Sequence, residues 1–107
     1  MLMGWGKKIL MMQTDNIKSI EIDREGKLHV VTDMTTYPMI YRTATEVHWD
    51  VDKHSLYSPK PREWSYIKWY NHILDVCETE CSCRLLLTAE TTWVNVPDEL
   101  RDEMRKR

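Results

Sequence analysis

Phenylalanine is missing from the 107-residue chain, glycine is held to three residues, proline to four and cysteine to three. Each shortage excludes something. Three glycines leave no phosphate-cradling loop and no dinucleotide fingerprint, and no HExxH, P-loop or Ser-His-Asp order appears, so enzyme chemistry and cofactor binding have no positive signature. An odd cysteine count precludes a complete intramolecular disulfide framework and fits a reducing cytoplasm. No apolar run nears the ~18 residues of a membrane span, and the mean hydropathy is -0.55. The opening MLMGWGKKILMM is broken by Lys7 and Lys8 and is followed by no cleavage motif, unlike a secretion signal. Fifteen Lys and Arg against seventeen Asp and Glu give a formal charge of -2. No basic field therefore draws the protein to nucleic acid or to an anionic membrane.

What is present is the composition of one folded domain over 1–107, with 42% hydrophobic and 30% charged residues. Residues 1–14 read as a poorly ordered N-terminal extension. Five Trp and five Tyr replace the missing Phe. Each of these rings carries a polar tip that must find a partner when buried, which suits walls of ligand sites and interfaces as well as cores.

Period-2 alternation marks strands at Ile17–Asp23 and at 28–32, joined by a turn at Arg24-Glu25-Gly26. The stretch 34–46 reads as extended chain, with a short helix as its alternative. Glu46–Asp52 alternates cleanly, placing Val47, Trp49 and Val51 inward and His48, Asp50 and Asp52 outward, and turns back through Leu56-Tyr57 as a second hairpin. Pro59 and Pro61 stiffen the connector to the main helix, about 62–79, whose apolar positions cover more than half its circumference. Arg84–Thr88, with Leu85-Leu86-Leu87, reads as a central strand apolar on both sides. Trp93–Val96 adds an edge strand before a short closing helix seamed by Leu100 and Met104. The fold class is α+β: a small antiparallel sheet of about five strands against one main helix, with a short C-terminal helix.

Several constellations carry chemistry. Cys77, Cys81 and Cys83 with His54 or His72 have the donor types of a zinc site, but C-x3-C-x-C is not zinc-knuckle spacing, and ordinary reduced thiols with Cys77 in the core account for them. His48, Asp50, Asp52 and His54 share the outward face of the second hairpin, yet same-face positions about 6.5 to 7 Å apart do not converge on one cation. No metal ligand set is therefore assigned. Lys60, Arg62 and Arg42 lie among Tyr41, Tyr57, Trp64 and Tyr66, a mix of cations and rings that stacks planar groups or grips anions. Candidate binding residues are Arg42, His48, Lys60, Arg62 and Trp64. Trp69 and Tyr70 diverge by about 100° on a helix, so one of them, with Tyr66, is a candidate oligomer contact.

Tyr37-Pro38-Met39-Ile40-Tyr41-Arg42, Glu46-Val47-His48-Trp49-Asp50, Ser58-Pro59-Lys60-Pro61-Arg62-Glu63-Trp64-Ser65-Tyr66 and Trp93-Val94-Asn95-Val96-Pro97 together resemble uncharacterised bacterial proteins encoded on mobile integron gene cassettes. The resemblance implies a small cytoplasmic α+β protein, often oligomeric, and hands over no active-site residues. The expectation is a homo-oligomeric binding or interaction module, a dimer first, with a small-molecule or protein partner. The alternatives are an immunity-type protein presenting Glu78, Glu80, Asp98, Glu99, Asp102 and Glu103 to a toxin, and a metal-assisted hydrolase using His48, Asp50 and His54.

Overall fold

The computed structural model describes residues 12–107. Most of the extension expected over 1–14 lies outside the described residues, while Gln13 and Thr14 already belong to the first strand. The elements are β1 (Gln13–Ile22), β2 (Leu28–Thr32), a single 3-10 turn at Ile40–Arg42, β3 (His48–Asp50), β4 (Ser55–Tyr57), α1 (Tyr66–Cys81), β5 (Cys83–Leu86), β6 (Thr92–Val94) and α2 (Asp98–Arg105). The sheet runs β3-β4-β2-β1-β5, with β6 also on β1. The chain is α+β as expected, and β5 and β6 correct the purely antiparallel picture by pairing parallel to β1. Both follow long connections from β1 rather than hairpins. No helix among the described residues is long and apolar enough to cross a membrane.

Register explains which face is buried. Trp93, Ile20, Val30, Leu56 and Trp49 stand opposite one another across four strand pairs, and all five belong to the core or pack against it. The neighbouring row, Val94, Glu21, His29, Tyr57 and His48, points to the other face. A register shift between Ile17 and Ser19 lets both Ile17 and Ile20 reach the core. Strict alternation would set these two residues on opposite faces, and the bulge adds the one residue that period 2 cannot anticipate.

The main helix begins four residues later than the sequence indicates. Ser65 is its N-cap, accepting from the Lys68 amide at 3.3 Å, so Arg62-Glu63-Trp64 form a bend before the first turn. It ends at Ser82 in the left-handed conformation, whose amide closes on the Cys77 carbonyl. Trp69, Tyr70, Ile73, Leu74 and Cys77 are its buried residues, each large apolar side chain contributing about 1.5–3 kcal/mol of burial.

Three further expectations are corrected. The stretch 34–46 is a loop with one 3-10 turn, not a strand: Tyr37, Ile40, Ala44 and Val47 are buried at spacings of three and four, and the Thr43 and Ala44 amides bond back to the Ile40 carbonyl. β3 spans only His48–Asp50, since Asp50 accepts from the Asp52 and Lys53 amides and turns the chain. Val51 is consequently 78% exposed rather than inward. β5 alternates, with Cys83 and Leu85 buried and Arg84 and Leu86 exposed, so it is covered on one face only. Cys83 therefore lies in the core, whereas Cys81, the last residue of α1, is exposed.

Candidate binding cleft

The connector between β4 and α1 is held at both ends. The Tyr66 hydroxyl donates to the Gly26 carbonyl at 2.8 Å, tying the start of α1 to the β1–β2 turn. Burial pushes the Tyr66 phenol up, and the nearby Asp23 carboxylate adds to this. Gly26 has φ +84, and the Lys60 stem runs 3.1 Å from where a Cβ would stand. With Pro59 and Pro61 fixing φ on either side of Lys60, the connector has little freedom to collapse.

This connector, the 43–46 segment and the first turns of α1 enclose a cleft of about 680 Å³, within the usual range for small-molecule sites. Its aromatic wall is a cluster: the Trp64 ring lies 4.7 Å from Trp69 and 5.2 Å edge-on from His72, with the Lys68 ammonium 4.7 Å over Trp64. Lys60 and Arg62 stand at its mouth with Glu46 and Glu63. Among the described residues, neither Lys60 nor Arg62 enters an ion pair.

Of the residues singled out from sequence, the structure brings together Lys60, Arg62, Trp64 and Trp69. Arg42 and His48 are not part of this cleft. Arg42 ends the 3-10 turn with its guanidinium 5.9 Å over Tyr41. His48 is on the opposite sheet face, against Tyr57 at 5.4 Å, because alternation in β3 gives the inward position to Trp49. Trp69 and Tyr70 are only 7% and 1% exposed within one chain, so neither offers a partner subunit much surface; Tyr66 is half-buried and committed to Gly26. His72 joins the cleft through its i+3 spacing from Trp69, a signal present in the sequence that helical periodicity alone exposes.

The hydrolase reading loses its geometry. His54 leaves the strand face, taking φ +57 in the turn with its ring 5.0 Å edge-on to Trp49. No three His, Cys, Asp or Glu side chains among the described residues gather to hold a metal ion. A different constellation, invisible to motif reading, is a hydrogen-bonded chain: Asp23 Oδ2 lies 2.8 Å from His29 Nε2, and His29 Nδ1 lies 2.9 Å from Ser55 Oγ. Ser55 is fully buried, so its hydroxyl meets no substrate and the chain works as a clamp joining the β1–β2 turn to β2 and β4. Burial acts to raise the Asp23 carboxyl, and bonds from His29 and from the Lys27 and Glu25 amides outweigh it, holding it below its ordinary value.

The family described as Integron Cassette Protein Hfx_Cass5 matches residues 15–91, well over half of the chain. The chain belongs to this integron cassette protein family. A solved structure described as Integron Cassette Protein Hfx_Cass5, from the mobile metagenome of the North West Arm Sewage Outfall, is 43% identical, over 89% of this chain and 95% of its own, with a TM-score of 0.47. No curated protein matches. The matched span of the family runs from Asp15 within β1 to the turn before β6 and includes every residue of the cleft.

Proposed function

We propose that this integron cassette protein is a small binding module, and that its cleft takes a planar ring bearing an anionic group. The observation that carries this is the pairing of the Trp64–Trp69–His72 wall with two cations, Lys60 and Arg62, free of ion pairs among the described residues. A ring would stack on the half-buried Trp64 indole, and the anion would meet the guanidinium and ammonium at the mouth. A tied connector supports the reading, since a preformed cleft loses less entropy on binding.

AMP and adenosine make a matched pair of probes, alike in ring and different in charge. Calorimetric titration is expected to give AMP at least tenfold tighter binding than adenosine, the difference shrinking in Arg62→Ala and both ligands weakening in Trp64→Ala. Equal affinities, or no binding of either at millimolar concentration, would contradict the reading.

A further inference from the structure

A second cleft of about 410 Å³ opens between the later turns of α1, β5 and the end of α2. Three arginines, Arg84, Arg105 and Arg107, line it against one carboxylate, Glu78. Arg84 is held by Glu78 at 2.8 Å and Arg107 is paired with Asp75. Arg105 lies 5.7 Å over the Trp93 ring and enters no ion pair among the described residues, so one positive charge at the rim is uncompensated. The carbonyls of Glu103 and Met104 at this end of α2 are taken by the Lys106 and Arg107 amides. The apolar lining is aliphatic: Leu74 and Leu85 are buried, Leu87 is half-buried and Leu86 is 40% exposed.

Tyr70 supplies the remaining polar group of the lining. It is 1% exposed, and its hydroxyl, bonded to no group among the described residues, belongs to the little of the residue that solvent reaches. Burial pushes this phenol up to about 12, and the Arg107 guanidinium, which lines the same cleft, works against the rise. The hydroxyl therefore sits near the arginine rim and keeps its proton at neutral pH. Every polar side chain of the lining is then a donor, apart from the Glu78 carboxylate that Arg84 occupies. An occupant must bring acceptors, and the leucines favour one that also brings an aliphatic body.

We propose that this cleft binds a medium-chain alkyl carboxylate, whose headgroup accepts from the Tyr70 hydroxyl and the Arg105 guanidinium while its chain lies along Leu86 and Leu87. The site shares no residue with the aromatic cleft and does not rest on the reading of it.

Octanoate, 1-octanol and acetate separate headgroup from chain, read on the full chain through 13C-labelled leucine methyl groups. Octanoate is expected to shift the Leu86 and Leu87 signals saturably, with Leu28 and Leu56 in the core unmoved, and to bind at least fivefold tighter than either octanol or acetate. Tyr70→Phe and Arg105→Gln are each expected to weaken octanoate at least threefold, with octanol less affected. Octanol binding as tightly as octanoate would leave an apolar groove without a headgroup site, and acetate binding as tightly would leave a bare anion site. Either result, or no saturable shift at Leu86 and Leu87, would overturn the proposal without any variant having to fold. Undiminished octanoate binding in either folded variant would overturn it too.

Discussion

Asp15→Ala tests how the 33–39 loop is held against the sheet. The Asp15 carboxylate is buried on β1 and accepts from the Met34 amide at 3.0 Å, the Thr35 amide at 2.8 Å, the Thr35 hydroxyl at 2.7 Å and the Asn16 amide at 2.9 Å. Hydrogen bonds to a charged group are worth about 1.5–3 kcal/mol each, but these four share one acceptor and are not additive. The exposed Met34 amide also regains water once freed. Together these considerations give a loss of about 3 kcal/mol, or about 12 °C in Tm for a domain of this size. Thr35→Val, which removes one of the four bonds, should cost about 1 kcal/mol.

The effect has a defined pH dependence. Burial works to raise the Asp15 carboxyl, and the bonds from Thr35, Met34 and Asn16 outweigh it, leaving the folded pKa below the ordinary aspartate value. A depressed folded pKa contributes stability that is fully present above the unfolded value and is lost as pH falls through the folded one. Urea unfolding should therefore show the full gap between wild type and Asp15→Ala at pH 7 and a narrowing gap below about pH 4. A variant within 0.5 kcal/mol of wild type at pH 7, or a gap that widens in acid, would refute this account of the loop.

Two other substitutions bear on the fold and the cleft. Trp69→Glu places a carboxylate in the core beside Trp64 and should cost at least the ~3–5 kcal/mol of a buried aromatic truncation, giving unfolded or aggregated protein by circular dichroism and light scattering; a stable soluble monomer would instead make Trp69 a subunit contact. Gly26→Ala puts a Cβ at φ +84 and 3.1 Å from the Lys60 stem, so a loss of about 1 kcal/mol is expected, together with weaker AMP binding through the displaced Lys60; unchanged affinity would show that Lys60 is not held by this contact.

Much of the architecture was legible because it rests on periodicity. The β1–β2 and β3–β4 hairpins, the long apolar helix and the Leu100–Met104 seam of α2 all follow from alternation or from i, i+4 spacing. What escaped depends on contacts distant in sequence. The 34–46 stretch carries strand-forming residues, but it curls because Asp15, about twenty positions away, captures the amides of Met34 and Thr35. The parallel pairing of β5 and β6 with β1 is a matter of topology that neither short strand encodes. At the cleft, the proline-flanked cations and Trp64 could be read directly, whereas His72 required the helix phase, and Arg42 and His48 were set apart by turn geometry and strand pleat. The Asp23–His29–Ser55 chain joins three elements and follows no motif spacing.

The central claim is that Trp64 and its neighbours form a site for a planar anion. The most direct measurement is a 15N–1H titration of the tryptophan indole signals with AMP, the resonances assigned by single Trp→Tyr substitutions. The account predicts saturable shifts in the Trp64 and Trp69 signals, while Trp49 and Trp93, packed elsewhere on the sheet, stay in place. Shifts confined to Trp49 or Trp93, or no saturable shift at Trp64, would contradict it.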